Sequence, residues 1–355
     1  LGDVYKRQFL SRPRRRISAS FFFLGVLLLV LSACGSNNTQ SNNSSQLAAK
    51  QVLTFPDVGT RDIGVVDPAQ GPDSNSAVFI GMTYSGLVRF DKNLNVLPDQ
   101  ATWSISPDRK TYTFTLKAGL AFSDGTPVTA QTYVYTLTRA LLPAIQSPIA
   151  SFFLGDIAGA DAVSNGKATT LTGVQALNNT TLQITLTKPS EYFLQILASP
   201  VSFAVNEKLI NQYGETDWTN HVVGAGFGTG PFELKAWDHA TKMTLVPNPH
   251  YYGNKTKLTE VDMYFVNDPN TAFKSYQAHQ YNFVWNITAS DLPIARKVTG
   301  YTSQSLLETD MLFFDNRSAP FNNAAVRQAF AYSINKDALA RFVFDNSVVA
   351  APTII

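Results

Sequence analysis

Cys34 is the only cysteine in 355 residues, so no structural disulfide can form within this chain. Its fold must rest on buried apolar surface, and a hydrophobic content of 45% argues for a packed protein rather than a disordered one. An unpaired cysteine in a secreted chain also needs a reason of its own.

The flanking sequence supplies that reason. Arg12, Arg14, Arg15 and Arg16 precede an apolar run over residues 21–31 and then small residues, which is the order of a secretory signal. The run is shorter than the roughly 20 apolar residues a membrane-spanning helix needs. Leu31-Ser32-Ala33-Cys34 resembles the lipobox of bacterial lipoproteins, in which the cysteine is lipidated and becomes the mature N-terminus. Two or more acyl chains there would hold a soluble domain at a membrane surface. Residues 1–33 are therefore expected to be a signal peptide, with residues 1–8 a non-native leader that the following pattern does not continue. Residues 34–50 are expected to be the lipidated cysteine and a flexible tether, because residues 35–46 are only Ser, Asn, Thr, Gln and Gly.

The formal charge of +2 belongs to that leader. Residues 1–33 hold six basic residues and one acidic residue, leaving 22 basic against 25 acidic, a net charge of −3. A nucleic-acid footprint would need a basic patch or stripe, and none is present. About 320 residues exceed what one core usually supports, so two lobes are expected.

Globular sequence starts near Val52. Tyr112, Phe114 and Leu116 alternate with threonines, the two-residue period of a strand with one buried face. The turn residues 107–110 ahead of them predict a hairpin over residues 103–116. Thr129 stands where a helix N-cap would, before Tyr133, Leu137, Ala140 and Leu141 at helical spacing, with Pro143 beyond the end. Leu182, Ile184 and Leu186 predict a second alternating strand, and Ser190 is expected to cap a short helix reaching residue 196 or 197. A strand is expected over residues 260–266 and a helix over residues 324–341 carrying Val326, Phe330, Ile334 and Ala338. Hairpins with scattered helices predict α/β lobes.

Seven segments, in order, carry a resemblance. They are Tyr84-Ser-Gly-Leu-Val-Arg-Phe-Asp91, Trp103-Ser-Ile-Ser-Pro-Asp108, Thr111-Tyr-Thr-Phe-Thr-Leu-Lys117 and Phe122-Ser-Asp-Gly-Thr-Pro-Val-Thr-Ala130. Gly228-Thr-Gly-Pro-Phe232, Asn248-Pro-His-Tyr-Tyr252, and Asn316 through Pro320-Phe321 to Val326-Arg-Gln-Ala-Phe330 complete the set. Together they resemble the family 5 extracellular solute-binding proteins, the oligopeptide- and dipeptide-binding components of ABC importers. The resemblance implies an α/β fold, a two-lobed periplasmic-binding-protein-like clamshell of type II. Lobe I is expected at residues 51–286, including an inserted subdomain at about 82–199. Lobe II is expected to start at 287–355 and to be incomplete, the chain being C-terminally truncated.

The implied function is capture of a peptide between the lobes and delivery to an ABC permease and ATPase complex. The protein would act as a monomer, anchored outside the cytoplasm through its lipid. No cofactor, metal or catalytic residue is expected. Family peptide binders use a lobe II aspartate for the ligand's α-amino group, and the region expected to hold it lies beyond Ile355. Gln131 and Thr132 also stand where the family usually has acidic residues, so a favourable interaction with the helix dipole is lost. Tyr84, Trp285 and Phe313 are candidate cleft residues, since aromatic side chains line pockets, although they more often fill interiors. Asn316 joins them on the resemblance.

Other motifs carry less. Ser333-Ile-Asn-Lys336 matches Ser-x-x-Lys, but the Ser-Asp-Asn and Lys-Thr-Gly partners are absent from the sequence. The four glycines of residues 224–230 do not fit Gly-x-Gly-x-x-Gly; they predict a turn, with close approach of backbone to ligand as the alternative. Asp91 to Asn95 begins like a calcium loop, but Val96 occupies the required glycine position. His221, His239, His250 and His279 lack zinc-ligand spacing. Alternatives to peptide capture are the same fold binding a nickel chelate, haem or oligosaccharide, and a surface adhesion lipoprotein. An enzyme using Ser333 is a further alternative.

Overall fold

The computed structural model describes residues 50–71, 73–303 and 309–351. The expected signal peptide, Cys34 and the tether up to residue 49 lie outside the described residues. In chain order the first elements are β1 (Val52–Val58), α1 (Ser74–Thr83), β2 (Val88–Phe90), β3 (Val96–Pro98), β4 (Ala101–Ile105), β5 (Thr111–Leu116) and α2 (Ala130–Leu141). Then come α3 (Ala150–Leu154), α4 (Ala160–Ser164), β6 (Val174–Asn178), β7 (Thr181–Thr185), α5 (Phe193–Leu197) and α6 (Glu207–Tyr213). They are followed by β8 (Phe232–Asp238), β9 (Lys242–Pro247), β10 (Glu260–Val266), α7 (Pro269–Gln277), α8 (Leu292–Ala295) and α9 (Ala324–Ser333).

The predicted hairpin is β4 and β5, paired antiparallel in a sheet of order β4-β5-β7-β6. Alternation works as expected: Tyr112, Phe114 and Leu116 are buried on one face, as are Leu182 and Ile184 of β7. The predicted helix is α2, with Thr129 at its N-cap. Thr132 Oγ1 accepts from the Thr129 backbone N–H at 3.1 Å, so a hydroxyl serves the helix start where an acidic residue would. Tyr133, Leu137, Ala140 and Leu141 pack on the sheet in the first hydrophobic core, which spans residues 69–204.

A second core, drawn from residues 55–84 and 205–263, surrounds the sheet β1-β10-β9-β8. β1 runs parallel to β10, about 200 residues later in the chain, while the other pairs are antiparallel. Phe79 and Ile80 of α1 are fully buried in this core.

Buried polar contacts join the two cores. Gln100 Nε2 donates to Thr229 Oγ1 at 2.9 Å, and Tyr133 Oη donates to Gln100 Oε1 at 2.7 Å. Arg139 of α2 reaches Asp67 Oδ2 at 2.7 Å and Glu215 Oε2 at 2.6 Å. The glycine-rich segment belongs to the same junction. A Cβ on Gly228 would collide with the Thr83 carbonyl oxygen, and one on Gly230 would lie 2.5 Å from the Thr83 carbonyl carbon. Gly230 N–H donates to Thr83 O at 2.8 Å. These glycines let protein backbone, rather than a ligand, approach.

Two local expectations are corrected. Ser190 caps no helix: α5 starts at Phe193 with Tyr192 as N-cap, and Ser190 Oγ is buried without a partner among the described residues. The Ser190 carbonyl instead accepts from Tyr112 Oη at 2.6 Å, which fixes the chain there. The helix expected over 324–341 stops at Ser333, because Ile334 turns extended and Asn335 Oδ1 accepts from Ala338 N–H at 2.9 Å, starting a new helical turn. No residue of α9 is buried; Phe330 packs against Phe314 and Phe321 at 5.6 and 5.4 Å.

Candidate functional site

β1 is an edge strand, and an unpaired edge is a template for another strand. Main-chain groups alternate in direction along a strand, so those of Thr54, Pro56 and Val58 face away from β10. Thr54 N–H donates to Asn282 Oδ1 at 2.6 Å, and Thr54 O accepts from Asn282 N–H at 2.8 Å. Pro56 has no N–H to offer. Val58 O accepts from Asn75 Nδ2 at 2.9 Å. Asn282 and Asn75 thus cover part of the outer edge of β1, at Thr54 and at the Val58 carbonyl.

Past Asn282 the chain leaves that edge with its main chain free. Among the described residues, none of the backbone N–H and C=O groups of residues 283–287 is hydrogen-bonded. Phe283 and Trp285 are two residues apart and share a side. Phe283 lies 4.9 Å from the Phe55 ring, Trp285 lies 5.1 Å from it, and the two are 5.3 Å from each other. Phe55 is the buried base of this wall at 2% exposure, whereas Phe283 is 37% exposed. The result is an aromatic surface beside a stretch of unsatisfied main chain.

Asp57 lies two residues beyond Phe55 on the same face of β1. Its carboxyl is fully buried, with Oδ1 accepting from Asn75 Nδ2 at 2.8 Å and Oδ2 unpartnered among the described residues. Burial pushes its pKa up to about 6; the Asn75 bond opposes this and the Asp73 charge adds to it.

The four sequence candidates do not form one site. Trp285 belongs to the aromatic wall. Tyr84 does not line an opening: it is 2% exposed, packs 5.2 Å from Phe227, and donates its hydroxyl to Val66 O at 3.2 Å. Phe313 is 83% exposed and Asn316 is exposed; no ring contact or hydrogen bond among the described residues joins either to Trp285. Phe55 and Phe283 were not singled out from the sequence, although the spacing of Phe283 and Trp285 was a signal for the second.

The weaker motifs resolve into local structure. Asp91 Oδ1 accepts from Asn93 and Asn95 N–H at 2.8 and 2.9 Å, making the β2–β3 turn. Ser333 Oγ donates to Phe330 O and Lys336 Nζ to Ala351 O, so each side chain of Ser-x-x-Lys is engaged with backbone. His221 stacks on Tyr213 at 3.9 Å. His239 Nδ1 sits 2.8 Å from Asp62 Oδ2, while Trp237 Nε1 donates to Asp62 Oδ1 at 2.7 Å. Burial raises the Asp62 pKa, but these bonds outweigh it and hold the carboxyl below its usual range. Among the described residues no group of three or more His, Cys, Asp or Glu could hold a metal ion.

The profile of the bacterial extracellular solute-binding proteins, family 5 (Middle), matches residues 96–355. The chain belongs to that family. One family 5 relative, the oligopeptide-binding protein OppA of Bacillus subtilis, is 30% identical over 285 residues, covering 78% of this chain and 51% of the relative. YgiS of Escherichia coli, named as a probable deoxycholate-binding periplasmic protein, is 30% identical over 309 residues, covering 84% of this chain and 56% of its own. Among solved structures, the murein tripeptide binding protein MppA of Escherichia coli superposes with a TM-score of 0.74 at 30% identity, over 84% of this chain and 58% of that one. This family 5 chain has the α/β fold of the type II periplasmic binding proteins. It spans about half the length of the curated relatives it matches.

Proposed function

We propose that this chain is part of the substrate-binding component of an ABC importer, that its ligand is a peptide, and that residues 283–287 with Phe55, Phe283 and Trp285 form one wall of the site. The observation that carries this reading is the run of free main-chain groups beside an aromatic surface. A peptide adds to such a run as a strand: main-chain hydrogen bonds supply affinity, and alternate side chains fall on the aromatic wall. Names of the relatives OppA and MppA support a peptide as the ligand class.

Residues 51–286 are proposed as lobe I, with the subdomain at about 82–199 inserted, and residues 287–355 as the start of lobe II. Phe313 and Asn316 would then face the ligand from lobe II on closure. Binding must favour the closed state through contacts absent in the open one. Cys34 would carry the lipid that holds the monomer outside the cytoplasm, where it meets the permease.

Native mass spectrometry after gentle denaturation tests the ligand. A ladder of short peptides, together with calorimetric binding of a tripeptide that weakens on Trp285→Ala, is the expected result. Failure to bind a peptide library overturns it. The YgiS relative favours one second reading, a flat apolar steroid acid on the aromatic wall, and release of such a compound would establish that instead.

A further inference from the structure

The free main chain beside the aromatic wall has two ends, each fixed by an asparagine. Upstream, Asn282 is committed to β1: its N–H donates to Thr54 O at 2.8 Å, and its Oδ1 accepts from Thr54 N–H at 2.6 Å. Downstream, Asn286 has a φ of +55°, the only positive value among residues 283–287. That is the left-handed region, outside the range a strand occupies, and asparagine is one of the few residues that tolerates it.

Beyond that bend the backbone is engaged elsewhere. Thr288 O accepts from the N–H groups of Asp291 and Leu292, at 3.0 Å each, and Thr288 Oγ1 donates to Asn270 Oδ1 at 3.1 Å. The chain is thus tied to the start of α8 and to α7 two residues after Asn286. Phe283, Val284 and Trp285 remain as the free stretch with negative φ. At roughly 3.3 Å per residue, these three residues present about 10 Å of edge.

Asn282 also sets the direction in which that edge faces. Its N–H points to β1, and main-chain groups alternate along an extended chain, so those of Phe283 and Trp285 turn outward while those of Val284 turn back. The Phe283 and Trp285 rings both lie against Phe55, on one side, as that alternation requires. A peptide added as a strand pairs with Phe283 and Trp285, and three ligand residues cover the pair. A further ligand residue past Trp285 meets the bend at Asn286. One placed before Phe283 meets main chain already bonded to Thr54.

We infer that this edge limits the length of peptide recognised: it pairs with three consecutive ligand residues and no more, and Asn286 sets the limit. The inference rests on the peptide reading. Calorimetric titration of the full chain with Ala-Phe, Ala-Phe-Ala, and that tripeptide extended by one and by two alanines tests it. Affinity is expected to rise about tenfold from dipeptide to tripeptide and to stay within about twofold for the longer two. With the longest peptide bound, amide hydrogen exchange should slow at Phe283 and Trp285 but not at Asn286 or Ile287. Asn286 is exposed, so the fold survives its substitution. Asn286→Gly, which keeps the left-handed backbone, should keep the plateau at three residues, whereas the β-branched Asn286→Val disfavours that backbone and should let affinity climb with the added alanines. Parent affinity that still climbs about tenfold beyond three residues, protection that extends through Ile287, or the same plateau in both variants overturns the inference and leaves the peptide reading standing. Binding of none of the four peptides overturns the peptide reading and this inference with it.

Discussion

The Arg139 guanidinium grips both oxygens of Asp67, at 2.7 and 3.2 Å, with the two side chains 2% and 5% exposed. Glu215 takes the remaining Nε–H at 2.6 Å, and the Trp218 ring lies 5.8 Å from the guanidinium. Two acceptors raise the Arg139 pKa against the opposing effect of burial. Removing one member of a buried pair leaves an uncompensated charge, so Arg139→Met is expected to cost about 3–5 kcal/mol in urea denaturation. The double variant Arg139→Met with Asp67→Leu should recover part of that loss. If it is as unstable as the single variant, the pair does more than neutralise itself.

Asp57 gives a pH dependence of opposite sign to a salt-bridged carboxylate. Its folded pKa of about 6 is above the ordinary 3.8, so the folded state holds a proton that the unfolded state has lost. Stability should therefore fall as pH rises from about 4 to about 6, by about 3 kcal/mol at full ionisation. Asp57→Asn is expected to stabilise the protein at pH 7.5 and leave it little changed at pH 4. Denaturation midpoints of the two proteins across that range decide it, and parallel curves would remove Asp57 as the cause.

The aromatic wall separates into a base and a face. Phe55 is buried, so Phe55→Ala should cost about 3–5 kcal/mol of stability. Trp285 is only half-buried, and Trp285→Ala should leave the unfolding midpoint close to that of the parent while weakening peptide binding about tenfold or more. Equal losses of stability in both variants would make Trp285 a core residue.

Gly228 and Gly81 should respond in opposite ways to alanine. At Gly228 the new Cβ meets the backbone of Thr83 in the junction between the cores, and severe destabilisation or failure to fold is expected. At Gly81, within α1, nothing lies within 4 Å, so Gly81→Ala should stabilise by about 0.5–1 kcal/mol through helix propensity alone. Thermal unfolding of the two variants checks the pair.

Local, periodic signals are legible in the chain before it folds. The two-residue alternation of Tyr112, Phe114 and Leu116 made β5, and Thr129 with the apolar spacing behind it made α2, because both signals depend on neighbours a few residues away. The ordered motifs also carried the family and its fold. Tertiary structure decided what those signals could not reach. β1 pairs with β10 across about 200 residues of chain, and no local pattern encodes a partner at that distance. Tyr84 and Trp285 are both aromatic residues in a sequence rich in them, yet packing against Phe227 closes one in while the departure of the chain from β1 after Asn282 leaves the other half-buried. The physical reason is the same in each case: burial and edge closure are set by which segments meet in space, and hydrophobicity alone does not say which will.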